Sequence, residues 1–92
     1  MYSVNYTNRF KKDLKRCTKR GLDTEKLRTV INILVQNGQL PETYRPHMLT
    51  GNHHDEWECH IQPDWLLVWK QDNNLLSLLF MQTGTHADLF GK

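Results

Sequence analysis

The sequence predicts an α+β fold: a twisted, mostly antiparallel four-stranded sheet with a two-helix hairpin on one face, in the order β-α-α-β-β-β. Three observations carry this expectation. Two early segments place apolar residues at helical spacing, three later segments run apolar or alternating over strand lengths, and turn-forming residues separate them. With 92 residues the chain has room for one domain, residues 1–92, built around one core.

Taken in order, Tyr2, Val4 and Tyr6 alternate with Ser3 and Asn5, the pattern of a short half-buried strand. Thr7 or Asn8 can then cap a helix running to Arg20, in which Phe10, Leu14 and Cys17 form one apolar stripe and the basic residues stay outside. Gly21 ends it. Asp23 suits the N-cap of a second helix, with Leu22 and Leu27 placed as a hydrophobic staple. Leu27, Val30, Ile31, Leu34 and Val35 make its buried stripe, and Gly38 followed by Pro41 stops it. Leu40 to His54 lacks periodicity and reads as a loop. From Asp55 to Gln62, Trp57, Cys59 and Ile61 share one face and Glu56, Glu58 and His60 the other, so His60 points away from the apolar side. Pro63 and Asp64 turn the chain into Trp65–Lys70, which is apolar on both faces and suits a central strand. Asp72, Asn73 and Asn74 turn it again into Leu75–Gln82, and Thr83 to Gly91 is a polar tail closed by Leu89 and Phe90.

The longest apolar runs, Trp65–Trp69 and Leu78–Met81, cannot span a bilayer. Met1 to Phe10 is polar and leads into a basic helix, so no secretory leader is expected and the cytoplasm is the expected compartment. Cys17 and Cys59 show no CxxC spacing and read as small buried hydrophobes rather than a disulfide. Charge is unevenly spread. Residues 1–48 carry ten Lys or Arg against four acids, residues 49–92 carry two against six, and all five histidines lie between positions 47 and 86. The first half is suited to a polyanion; the second gathers groups that exchange protons near neutral pH.

Cleaving RNA at the 2′-hydroxyl needs a base, an acid for the departing 5′-oxygen and positive charge for the phosphorane, and imidazole serves for all three without a metal or other cofactor. His47, His60, Asp64 and His86 are the candidates, provided the fold brings loop, strand, turn and tail together. Individually each has a plainer reading: His60 as a half-exposed strand residue, Asp64 as a turn former, His86 as a cap of the tail, His53 and His54 as solvated loop residues. A zinc site from His53, His54, Cys59 and His60 fits none of the usual ligand spacings. Between residues 9 and 20 there are seven bases and one acid, and Lys11, Lys12, Lys15, Arg16, Lys19 and Arg20 are read as a phosphate-contacting, nucleic-acid-binding surface, with a solvated face as the alternative. Trp65 and Phe90 are the candidates for stacking on bases, core packing being the alternative for Trp65.

The string His-Ile-Gln-Pro-Asp-Trp-Leu-Leu-Val-Trp (60–69), the ending Thr-Gly-Thr-His-Ala-Asp-Leu-Phe-Gly (83–91) and the segment His-Met-Leu-Thr-Gly (47–51) resemble the YafQ branch of the RelE-like toxins. The resemblance covers nearly the whole chain. It implies a RelE-like fold and a ribosome-dependent endoribonuclease that cuts messenger RNA in the A site of the small subunit. It also implies silencing by a cognate DNA-binding antitoxin of the DinJ or RelB kind, with operator DNA reached only through that complex. His47, His60, Asp64, His86 and Phe90 match the family's active-site positions. Trp57 and Gln82 depart from it, standing where relatives often carry arginine, and protonated His47 or His60 is expected to replace that charge. The expected mechanism makes Asp64 and His86 the principal proton-transfer pair, with His60 and His47 orienting substrate and stabilising charge. Two other classes compete: a toxin of the same fold directed at gyrase, whose members lack this histidine set, and a module that only binds RNA or antitoxin.

Overall fold

Because its first five residues are apolar on alternating sides, the segment at 65–72 can be buried only in the middle of a layered structure. The computed structural model, which describes residues 1–49 and 55–91, places it there. The elements are β1 (Ser3–Tyr6), α1 (Asn8–Lys19), α2 (Thr24–Asn37), a single 3₁₀ turn (Glu42–Tyr44), β2 (His47–Met48), β3 (Glu56–Gln62), β4 (Trp65–Asp72), β5 (Ser77–Gly84) and α3 (His86–Phe90). The sheet has five strands in the order β1-β5-β4-β3-β2. β1 pairs with β5 in parallel and the other neighbours are antiparallel.

Two expectations are corrected. The sheet has five strands, not four, because His47 and Met48 leave the loop to pair with Glu58 and Trp57 of β3. The tail is not irregular: Thr85 accepts a hydrogen bond from the Asp88 amide while the Asp88 carboxylate accepts one from the Thr85 amide, a capping box that turns residues 86–90 into a helix. His53 and His54, and with them Thr50, Gly51, Asn52 and Lys92, lie outside the described residues.

The caps fall where the side-chain chemistry puts them. Thr7 Oγ1 accepts from the Phe10 amide at 3.0 Å, the Asp23 carboxylate from the Glu25 amide at 3.0 Å, and Gly38 closes α2 with φ 71°. Both helices lay their stripes on one face of the sheet. Phe10 and Cys17 from α1 and Leu27, Val30 and Leu34 from α2 pack with Cys59, Ile61, Trp65, Leu67, Trp69, Leu78 and Phe80. Tyr6, Phe10 and Phe80 form a ladder of rings with centroids 5.3 to 6.0 Å apart. Both cysteines are free and buried in this core, and burial pushes the Cys59 thiol up to about 12.

One member of the helical layer is not apolar. Asp13, a turn after Phe10, is fully buried. Its carboxylate accepts from Arg9 Nε (3.0 Å), Arg16 Nη2 (2.9 Å) and the Thr83 amide of β5 (3.1 Å). Thr83 is itself buried, its hydroxyl accepting from Trp65 Nε1 at 2.9 Å and donating to the Leu66 carbonyl at 2.7 Å. One connected set of hydrogen bonds therefore joins α1 to the two central strands. Replacing Asp13 by Ala strands the Thr83 amide in the core and should lower the unfolding free energy by about 2–3 kcal/mol, read from urea denaturation midpoints; a loss under about 1 kcal/mol contradicts this account.

Candidate active site

On the face of the sheet away from the helices, β3 presents Glu56, Glu58 and His60, β4 presents Leu66, Val68 and Lys70, and β5 presents Gln82 and Gly84, as the cross-strand partners require. Leu66 and Val68 are buried. Glu58 stands opposite Val68, and Val68 opposite Gln82, so one row crosses this face; His60, Leu66 and Gly84 form the next. The turn from β3 to β4 carries Asp64, and α3 begins just past the end of β5 with His86.

The polar groups meet at this corner. Asp64 Oδ1 accepts from His86 Nδ1 at 2.8 Å and from the His86 amide at 3.2 Å. These bonds hold the exposed Asp64 carboxyl below its usual range, the His86 ring making the largest contribution. The rings of His60 and His86 are 5.9 Å apart, centroid to centroid, tilted by 56°. His60 Nδ1 lies 3.3 Å from the Pro63 carbonyl. A carbonyl and a carboxylate accept only, so Nδ1 is the protonated nitrogen in both rings, and among the described residues no group bonds either Nε2. His47 differs. Its Nδ1 lies 3.1 Å from the Arg45 carbonyl and its Nε2 3.3 Å from the carboxylate of buried Glu58.

What fixes His86 is the basic helix. Asp88, two residues on, is bound through both carboxylate oxygens by Arg20, and Arg16 Nε lies 3.6 Å away. Arg9 Nη2 donates to the Asp88 carbonyl at 3.2 Å. The Arg20 guanidinium, first among several donors, holds the Asp88 carboxyl well below the usual carboxylate range. Gly84 makes the approach possible, because a Cβ there would fall 2.8 Å from Asp88 Oδ2 and 2.9 Å from Asp88 Cβ. The four parts of the Thr83–His86 motif thus divide the work: Thr83 ties the sheet to α1, Gly84 admits Asp88, Thr85 caps α3, and His86 faces Asp64.

Of the residues singled out in the sequence, His60, Asp64 and His86 come together, and His47 sits opposite Glu58, one step along the same strand face. Phe90 is 41% exposed and four residues beyond His86 on α3, on the same side of that helix. Trp65 is corrected: it is 2% exposed, its ring packed in the core and its Nε1 bonded to Thr83, so it has no face to offer a base. The guanidiniums of Arg16 and Arg20 are engaged by Asp13 and Asp88, with the Arg20 side chain still 44% exposed. Lys11, Lys12, Lys15 and Lys19 are exposed on the helical side, across the sheet from the imidazoles. Trp57 stacks on Trp69 on the helical side too, so an arginine at that position would add no charge beside His60; Gln82 is the departure that bears on the site. Asp13, Glu58 and Asp88 were missed. A charge on the stripe of Phe10, Leu14 and Cys17, and glutamates alternating with His60, were the signals available.

A family model described as the bacterial toxin of type II toxin-antitoxin system, YafQ, matches residues 2–91. The fold and this match define a toxin of the type II toxin-antitoxin class. The mRNA interferase toxin YafQ of Escherichia coli K12 is 38% identical over 89 residues, which cover 96% of this chain and 95% of that one. A chain of the crystallised E. coli DinJ–YafQ complex matches with a TM-score of 0.90 at 36% identity, over 99% of this chain and all of that one. YafQ from E. coli BL21(DE3) matches equally well, with a TM-score of 0.90 at 35% identity over 99% of this chain and all of that one. The chain belongs to the YafQ family.

The clamp on α3 has a pH signature. A carboxyl lowered in the folded state contributes stability that is present above its unfolded value, about 3.9, and lost as pH falls through the folded value. Asp88→Asn should therefore lower Tm by about 5 °C at pH 7 and by much less near pH 2, followed by circular dichroism. Equal losses at both pH values contradict the assignment.

Proposed function

We propose that this chain is an endoribonuclease, an mRNA interferase that cuts messenger RNA by attack of the RNA's own 2′-hydroxyl on the adjacent phosphate. The observation that carries the reading is the pair His60 and His86, side by side with both Nε2 atoms open and both Nδ1 atoms committed to acceptors. One neutral ring takes the 2′-hydroxyl proton while the other, protonated, delivers a proton to the departing 5′-oxygen. The products are a 2′,3′-cyclic phosphate and a free 5′-hydroxyl. No residue forms a covalent bond.

Asp64 changes role relative to the sequence expectation. It receives two hydrogen bonds from His86, so it sets the tautomer of that ring and stabilises its imidazolium rather than carrying the proton itself. His47, with its Nε2 3.3 Å from the Glu58 carboxylate, acts as a cation beside the phosphate. Phe90 supplies an exposed ring for a base to stack on. The E. coli relatives named as mRNA interferases support the same reaction class.

The setting follows the family. Cleavage takes place in the cytoplasm, in the A site of the small ribosomal subunit, with Lys11, Lys12, Lys15 and Lys19 contacting ribosomal RNA phosphates. A cognate DNA-binding antitoxin silences the toxin, as the existence of a DinJ–YafQ complex suggests, and operator DNA is met only through that complex. The described residues include no helix long and apolar enough to cross a membrane.

His86→Ala and Asp64→Asn should each slow cleavage by about 10²–10⁴-fold while ribosome binding stays near the wild-type level. Primer extension on messenger RNA after induction reads the first and co-sedimentation the second. Growth arrest without cuts, accompanied by supercoiling defects, would point to gyrase instead.

A further inference from the structure

We infer that Arg45 is a phosphate-binding residue of this site, holding an RNA phosphate oxygen in a cleft it shares with His60; the inference rests on the ribonuclease reading. The cleft, about 330 Å³, is lined by Thr43, Arg45, His60, Ile61, Gln62 and Pro63. His60 therefore has two sides: His86 and Asp64 on one, Arg45 on the other.

The backbone at Arg45 is fixed from both ends. Its amide donates to the Glu42 carbonyl at 2.9 Å, closing the 3₁₀ turn, and its carbonyl accepts from His47 Nδ1 at 3.1 Å. It holds φ 50°, ψ 53°, a left-handed conformation that glycine or asparagine would occupy with less strain. A long cationic side chain at such a position is at odds with local preference, and observed strain of this kind motivates a functional explanation. The side chain is exposed, and among the described residues no carboxylate pairs with it, whereas Arg9, Arg16 and Arg20 are all engaged by Asp13 or Asp88. A guanidinium with free donors in a cleft beside an open imidazole is suited to a phosphate, which it binds through two parallel N–H···O bonds. With Gln82 neutral, Arg45 brings permanent charge to the corner where the phosphorane would form.

The test separates this role from a structural one and from failure of the nuclease reading. Glycine takes the left-handed backbone without strain, so Arg45→Gly should keep or raise Tm, yet cleavage on messenger-programmed ribosomes should fall at least tenfold, with Arg45→Gln behaving alike and Arg45→Lys, which keeps the charge but loses the paired bonds, falling between Arg45→Gln and wild type. The salt dependence of the two charge-free variants should flatten by about one counterion. Cleavage by Arg45→Gln within twofold of wild type overturns the proposal. A second measurement does not depend on cutting: NMR titration with a trinucleotide whose central 2′-hydroxyl is replaced by hydrogen. In the wild type, the Arg45 Nε–H and the His60 ring resonances should shift together, and in Arg45→Gln the His60 shift should be lost. No shift at Arg45 in millimolar trinucleotide overturns the proposal, whatever the ribosomal assay gives. A wild type that binds here but leaves messenger RNA uncut on ribosomes defeats the nuclease reading instead.

Discussion

The arrangement depends on a buried carboxylate. Asp13 lies on the apolar stripe of α1, fully excluded from solvent, and is tolerable there only because two guanidiniums and a main-chain amide surround it. Its bond to the Thr83 amide sets how α1 lies along β5, and that registry brings Arg16 and Arg20 to the place where Asp88 emerges from the end of the sheet. Geometry at the imidazoles is thus inherited from an electrostatic network on the opposite face. Helix α3 is only five residues long, too short to persist on its own, and it is held by its capping box and by arginines from another element.

The basic helix is divided by side-chain chemistry. Its lysines and arginines look alike as a run of charge, yet they do different things. The planar, multiply donating guanidiniums are used inward, where carboxylates must be gripped through several atoms, and the ammonium groups are left outward, where a mobile point charge serves a polyanion as well. The site itself follows the same economy, with three imidazoles in two arrangements. Two keep one nitrogen open, and the third spends both on acceptors.

Much of the fold was legible because periodicity reports burial directly. The stripes of α1 and α2 and the double-sided apolarity of β4 appear as expected, and β3 alternates its faces around His60, although Glu56 and Glu58 on the polar face are buried. What escaped was decided by pairing between distant segments. The two residues of β2 have no periodicity to show, and α3 exists because a capping box and remote arginines support it. Trp65 reads as a stacking residue when it is seen beside Asp64, but strand alternation sends its ring into the core while the turn leaves Asp64 outside. Arginines at helical spacing read as surface charge until the facing carboxylates at 13 and 88 are placed.

The two thiols complete the picture of what this molecule ignores. Both are sealed among apolar side chains, and burial pushes both thiols up, the Cys59 sulfur to about 12, so the ionised form is scarce at neutral pH. Peroxide and alkylating electrophiles attack the ionised form, so neither cysteine offers them a handle. Under oxidative stress these two thiols would stay unchanged, and oxidation would fall first on the exposed thioethers of Met1 and Met48.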